Sequence, residues 1–547
     1  MAGEEMSSHG PILIVGLDGA TWQILDPLLA AGDMPTLARL RDGGAWGVVR
    51  SVVPPITPAA WSSFMTGKLP SKHGIYDFRV YDPRTRRDSF VTSRALREPT
   101  VFELLTAAGR RVATVNVPVT YPPNPRAGTV VSGFDTPSVA AAFTHPPELK
   151  EQILGLVGDY FFIAVPDATD PNLERDDAFA RFVDDVERAF EQRTRIALHL
   201  LADGPWDTFM LHYQDTDILQ HRTWRFFTER ERYPERWARL RRAYARLDAL
   251  LAEVLAAMPR DTLVVALSDH GFGSHEGRLY PNVLLRRWGY LTWAGRRRDR
   301  FMRSLRKRLA RLGLARPRPL RTDAWIAQVR ERSLERMLPL TWRRTRAYVA
   351  LAEMSGLLYV NLRGREPGGI VSPGWEQEAL AAEIRDKLLA VRDPKDGAPV
   401  FAEVLPGREV FPDDPHGTRP DLVLLPRPEY SVYRDLNHRR WIDHYSLTSG
   451  THRPEGVLVV SGEGIRPGRL AREASLVDLA PTILAAAGVP VPDDMDGRVL
   501  DELFVEAPHV TRVAGTSSAN SERDEGALTP EEEAEVVERL RALGYME

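Results

Sequence analysis

ILIVGLD, residues 12–18, decides the fold, because an apolar run rich in β-branched residues, short enough for a strand, halts on an acid followed by Gly19. Unbroken apolar runs of this length are strands buried on both faces, the form that strands take in parallel sheets covered by helices. The same build recurs in TFMLHYQDTD, residues 208–217, and in LVVALSDH, residues 263–270. Helical spacing lies between the strands, from Leu28 to Leu40, from Phe179 to Leu201 and from Arg236 to Met258, and a further α/β unit spans Val101 to Val115. This alternation predicts an α/β protein with a mostly parallel central sheet and helices on both faces. In such sheets ligands bind beyond the carboxyl ends of the strands, where Asp18, Asp217, Asp269 and His270 fall.

Composition narrows the chemistry. At 547 residues the chain exceeds the size at which single cores stop growing, so one large domain with insertions, or two domains, is expected. Hydrophobic residues at 43% and charged residues at 27% are ordinary for a globular protein, and a net charge of −3 gives no strong nucleic-acid signal. The chain has no cysteine, which excludes disulfides, thiolate metal sites and cysteine nucleophiles and leaves histidine and carboxylates as metal ligands. No stretch approaches eighteen uninterrupted apolar residues, so no transmembrane segment is expected. The opening MAGEEMSSHG has acids where a signal peptide places basic and then apolar residues, and a cytoplasmic location is expected.

Charge changes abruptly at Arg286. Between Arg286 and Arg346 stand twenty Lys or Arg against four acids, and Phe301, Leu305, Leu309 and Leu312 recur at helical spacing among them. Residues 286–346 are therefore expected to form a basic helical lid that interrupts a catalytic domain over residues 10–506. Such a lid could pair with the acidic remainder of the chain, steer an anionic substrate, or touch an anionic surface. The strand pattern resumes at AYVAL and LLYVNL, which makes the lid an insertion between two parts of one sheet. Residues 507–528 read as a linker and 529–547 as an amphipathic helix. Thr529, Pro530 and Glu532 form its capping signal, Val536, Val537, Leu540 and Leu543 its apolar stripe, and Gly544 its stop. That helix is expected to dock on its own domain, with a partner contact as the alternative.

Seven residues carry candidate chemistry: Asp18, Thr57, Asp217, His221, Asp269, His270 and His452. Each has a plainer explanation by itself. Asp18 could cap the next helix, and Thr57 could cap a helix started by Pro58. Asp217 and His221, four apart on one helix face, occur together by chance on many helices. Their co-occurrence is what reads as a two-metal phosphoryl-transfer site.

The run from Ile12 to Gly497 resembles the alkaline phosphatase superfamily, and within it the type I phosphodiesterase and nucleotide pyrophosphatase branch. The motifs that carry the likeness are IVGLDGA around Asp18, TPAAW through TGKLPSKHGI around Thr57, and DTDILQH from Asp215 to His221. SDHGFG from Ser268, SGTH ending at His452, and the late DLAPTILAAAGVPVPDDMDGRVL complete the family order. The resemblance implies one divalent cation on Asp18, Thr57, Asp269 and His270 and a second on Asp217, His221 and His452. Zinc is expected, with manganese as the alternative. It further implies that Thr57 attacks phosphorus and that water then hydrolyses the phosphothreonine, which makes the protein a phosphodiesterase or phosphomonoesterase acting on a small phosphorylated substrate. A phosphoryl transferase or mutase, or a catalytically silent relative that binds a phosphorylated ligand, are the alternatives.

The chain departs from the branch three positions after Thr57, where nucleotide pyrophosphatases have an asparagine that donates to a phosphate oxygen and this chain has Ala60. Oxyanion stabilisation must then come from backbone amides, the cations or other side chains, for which Trp61, Arg439, Arg440 and His444 are the substrate-binding candidates. His73 in SKHGIYDF is expected to be structural, and Trp22 and Trp224 to serve packing.

Overall fold

The computed structural model describes residues 10–167, 170, 172–293, 340–436, 438–445, 448–515 and 528–543. The strand Ile12–Leu17 is buried at every position and lies between Thr208–Tyr213 and Leu263–Leu267, both parallel to it. Val112–Val117 and Thr129–Ser132 extend the parallel set on one side. On the other, Glu455–Ser461 runs antiparallel between Leu263–Leu267 and Ala45–Arg50. With short edge strands the whole is a ten-stranded, mostly parallel sheet.

Two groups of helices pack against it. Thr57–Thr66, Val101–Ala107 and Leu479–Ala486 touch one another, and Pro35–Gly43 and Asp176–Ala202 each touch Pro234–Ala257. Their apolar faces, with Phe64, Leu105 and Ile483 in one group and Leu37, Val186 and Leu251 in the other, join the strands in one core. The Leu28 to Leu40 run is two helices, Trp22–Ala30 and Pro35–Gly43, because Pro35 lacks an amide hydrogen and occupies a first-turn position. Met34 cannot cap the second helix, so the buried Asp248 accepts from the amides of Thr36 and Leu37 at 2.8 Å each.

The strands after the basic segment correct an expectation. Ala347–Leu351 and Gly356–Val360 do not continue the central sheet; with Leu422–Pro426 and Phe401–Pro406 they form a separate four-stranded antiparallel sheet. Tyr348, Leu358, Val423 and, from the helix Trp375–Leu389, Ile384 and Leu388 give it its own hydrophobic core. An apolar strand pattern specifies burial but not the sheet it joins, so the two were indistinguishable in sequence. The start of the expected lid also shifts, because Arg286 and Arg287 belong to the helix Pro281–Arg287. Trp293 and Leu340 form an isolated antiparallel bridge, and residues 294–339 between them, with most of the expected lid, lie outside the described residues.

Within the expected linker, Arg512–Val513 pairs with Val491–Pro492. The helix Pro530–Leu543 opens on a reciprocal cap, in which Thr529 N–H donates to Glu532 Oε2 and Glu532 N–H to Thr529 Oγ1. It docks on its own chain. Val536, Val537, Leu540 and Leu543 are buried in the main core, and Arg539 donates to the carbonyls of Phe134 and Thr136. Gly544 lies outside the described residues. Among the described residues no helix is long and apolar enough to cross a membrane.

Candidate active site

Each of the three central parallel strands delivers a polar group at its carboxyl end. Asp18 follows Leu17, Asp269 and His270 follow Leu267 by two and three residues, and the helix Asp215–Thr228 starts two residues after Tyr213. Asp217 and His221 occupy one face of that helix. A two-stranded ribbon, Gly271–Ser274 against Gly450–Arg453, brings His452 in opposite Phe272. A Cβ at Gly271 would stand 1.9 Å from the carbonyl oxygen of Glu455, so the tight passage after His270 requires glycine.

The side chains converge. His452 Nε2 lies 3.2 Å and His221 Nε2 3.5 Å from Asp217 Oδ1, and the two nitrogens are 3.0 Å apart. His270 Nε2 lies 3.3 Å from Asp269 Oδ2, 3.7 Å from Asp18 Oδ1 and 3.5 Å from Thr57 Oγ1. Asp217, His270 and His452 form one set with ligand atoms within 4.8 Å of one another, and Asp18, Asp269 and His270 a second. All are buried, and Thr57 begins the helix Thr57–Thr66, one residue before Pro58. In its first turn Ala60 N–H donates to the Ile56 carbonyl at 2.9 Å and Pro58 has no amide hydrogen, which leaves the amides of Thr57 and Ala59 without an intrahelical acceptor.

These residues fit divalent cations. Each imidazole directs Nδ1 at a backbone carbonyl, His221 at Gly450 (2.9 Å), His270 at Gly271 (3.1 Å) and His452 at Pro55 (2.8 Å). Nδ1–H donation leaves Nε2 with its lone pair aimed into the cluster, the orientation that a metal-ligating histidine needs. Burial holds His221 and His452 down at about 3 and His270 well below the usual imidazole range, so all three rings are neutral. Burial, then the charges of Asp269 and Asp217, push the Asp18 carboxyl well above its ordinary range. Asp269 is raised by burial, opposed by the Gly19 N–H that donates to its Oδ1 at 3.1 Å, and raised further by Asp217. Asp18 Oδ1 and Asp269 Oδ2 are buried oxygens with no hydrogen-bond donor. Buried carboxylates that repel one another and have an oxygen to spare stay ionised only with positive charge between them, which a cation would supply.

The remaining candidates are dispersed. Trp61 is fully buried and donates its indole N–H to Asp18 Oδ2 at 2.8 Å, which places it behind a candidate ligand and away from solvent. Arg439 and Arg440 are exposed, and Arg439 offers only its carbonyl, to Arg287. His444 is held by Asp393 at 2.9 Å and lines a 610 Å³ basin with Arg222, Arg225, Lys395 and Ser449. That basin adjoins the site through Ser449, whose amide donates to the His221 carbonyl. His73 is buried between Ser63 Oγ at 2.8 Å and the Ile75 amide at 3.2 Å, a structural place.

Sequence reasoning missed a layer behind the ligands. His212 Nε2 faces Asp18 Oδ2 at 3.1 Å, Thr216 Oγ1 donates to the Asp18 carbonyl at 2.6 Å, and Gln220 donates to the Gly19 carbonyl at 2.8 Å. A histidine inside the apolar run TFMLHY is a legible signal, since an imidazole buried at mid-strand needs polar partners.

The profile of the family described as type I phosphodiesterase / nucleotide pyrophosphatase matches residues 12–454. Among solved structures, phosphonoacetate hydrolase from Sinorhizobium meliloti 1021 aligns at 17% identity, over 88% of this chain and 96% of its own. The TM-score is 0.54 for its complex with phosphonoformate and 0.53 for that with phosphonoacetate. Human ectonucleotide pyrophosphatase / phosphodiesterase 5 aligns at 12% identity over 91% of this chain and all of its own, with a TM-score of 0.48.

Proposed function

From the premise that the chain belongs to the type I phosphodiesterase / nucleotide pyrophosphatase family, within the alkaline phosphatase superfamily, we propose that it hydrolyses phosphoric esters with Thr57 as nucleophile. The observation that carries this is the position of Thr57 Oγ1, at the start of its helix and 3.5 Å from His270 Nε2, beside both ligand sets. Asp18, Thr57, Asp269 and His270 would hold one cation and Asp217, His221 and His452 the other. Zinc suits this nitrogen and oxygen donor set, with manganese as the alternative. Bound there, the pair would neutralise phosphoryl charge and make the Thr57 hydroxyl acidic enough to ionise near neutral pH.

The protein's own part follows from geometry. Thr57 Oγ1, its proton lost, forms a bond to phosphorus while the bond to the leaving oxygen breaks, and that oxygen departs with the electron pair. Water then attacks the phosphothreonine and restores the threonine alkoxide, which is reprotonated. The unsatisfied amides of the helix start favour an anion at Thr57, a source of oxyanion donation that does not need a side chain at position 60. Burial of the site excludes bulk water from the reacting groups and strengthens these interactions.

The test is hydrolysis of bis-p-nitrophenyl phosphate beside p-nitrophenyl phosphate, with zinc or manganese, after chelation, and with Thr57→Ala. Cation-dependent turnover lost in the variant is the expected result, and the ratio of the two rates assigns diester or monoester. No turnover of either ester by a cation-loaded chain would overturn the proposal.

A further inference from the structure

Asp18 is a candidate ligand whose second oxygen lies against two side chains. Trp61 Nε1 lies 2.8 Å and His212 Nε2 3.1 Å from Oδ2, whereas Oδ1 has no donor and faces His270 Nε2 at 3.7 Å. We infer that Trp61 and His212 are positioning residues that clamp Asp18 through Oδ2, so that it offers a cation Oδ1 alone and stays at a fixed distance from Thr57. This inference rests on the proposed cation site and adds its supports.

The clamp is built from four elements. Trp61 is one helical turn beyond Thr57, so the helix that presents the nucleophile also grips a ligand of the cation expected to activate it. Nucleophile, indole and carboxylate thus form a closed strut, in which Thr57 cannot shift against Asp18 without breaking a buried hydrogen bond. The indole is fixed edge-on by Phe64 (5.4 Å, 81°) and by the His212 ring (4.7 Å, 82°). His212 is fixed from behind by Asn116, whose side-chain amide donates to the His212 carbonyl at 3.1 Å; the Asn116 carbonyl lies 2.9 Å from Nδ1, and because a neutral ring carries one N–H, the clamp uses the form with the proton on Nε2, donated to Asp18. Asn116 takes a left-handed backbone (φ 63°) inside its strand.

Gly16 makes the room. A Cβ there would lie 2.6 Å from His212 Cδ2 and 2.8 Å from Trp61 Cη2, so the clamp closes only over a residue without a side chain. A glycine inside a strand, a left-handed asparagine and two buried polar rings are each unfavourable for folding alone. Their meeting on one carboxylate oxygen is the arrangement expected of supports that fix a ligand's orientation.

The experiment uses the full chain with Trp61→Phe, His212→Gln and His212→Leu, stripped with chelator and titrated with Zn²⁺ by calorimetry. Thermal unfolding of each stripped protein verifies folding, and kcat and KM are measured at saturating zinc. Trp61→Phe keeps the ring and loses the donor; it should weaken one of the two sites about 10- to 100-fold and leave the other unchanged. His212→Leu should do the same, and His212→Gln, which retains an N–H donor, should bind close to the unmodified chain. At saturating zinc, kcat should fall with little change in KM, because the clamp does not touch substrate. Unchanged zinc affinity in both Trp61→Phe and His212→Leu, with an unmodified chain that binds zinc and turns over, would overturn the clamp and leave the proposed function standing. An unmodified chain that binds no cation and hydrolyses neither ester would remove both. Should Trp61→Phe not fold, the contrast between leucine and glutamine at position 212 decides.

Discussion

In the central sheet five neighbouring strands run parallel, and three of them end on residues of the candidate site; in the four-stranded sheet around Tyr348 and Leu358 every neighbour is antiparallel. Ala347–Leu351 and Gly356–Val360 in the second are short apolar runs as fully buried as Ile12–Leu17 and Leu263–Leu267 in the first. The difference lies in where the strand ends fall. Parallel strands place all their carboxyl ends on one edge, so Asp18, Asp217 and Asp269, far apart in sequence, arrive together. Antiparallel strands send alternate ends to opposite edges, and chemistry-bearing residues there would be scattered. Strand direction, more than strand composition, locates the site.

Thr57→Ala should break the contrast most severely. Turnover is expected to fall on the order of 10⁴-fold or more while zinc binding by the histidine and aspartate ligands persists, measured as kcat and by calorimetry on one preparation. Asp269→Asn should lower zinc affinity at one site by more than about 100-fold, beyond what loss of a supporting residue costs. Leu358→Ala, in the antiparallel core, should do the opposite: lower the unfolding free energy by about 2–5 kcal/mol in urea and leave kcat per folded molecule unchanged. Saturating zinc at about 100 times its dissociation constant should raise the unfolding free energy of the whole chain by about 2.7 kcal/mol per site. The rise should vanish on chelation.

A further expected effect concerns pH. Burial, then the neighbouring His416, push His73 down to about 3 from its ordinary 6.5. A depressed imidazole contributes stability that is complete above the unfolded value and is lost as pH falls from about 6.5 toward 3, because the unfolded chain takes up the proton first. Urea midpoints of the chelated chain should therefore drop on acidification. His73→Gln should flatten part of that slope, whereas Leu358→Ala should shift the curve without changing its shape.

Much of this was legible in the sequence, for reasons that differ by residue. Apolar runs ending in acids identify the parallel sheet because burial on both faces leaves no alternation. Asp217 and His221 announce a shared helix face by their spacing. Trp61 was legible as a residue of the site but not in its role, since an indole next to a nucleophile can face a substrate or a ligand equally well in sequence. Asn116 and Gly16 were not legible, because their significance lies in a left-handed backbone and a missing Cβ that only the contact between neighbouring strands creates. The separate antiparallel sheet was hidden for a related reason: hydrogen-bond partners are a property of pairs of strands, and no single strand records them.

The bridge between Trp293 and Leu340 bears on how long the chain between them can be. The backbone leaves and re-enters the described structure at adjoining points, so residues 294–339 span almost no distance in the scaffold. Closing such a loop costs entropy only as the logarithm of its length. The scaffold is therefore indifferent to how many residues are spliced in there. A change of length between Trp293 and Leu340 would leave in place the edge of the sheet where the candidate ligands meet.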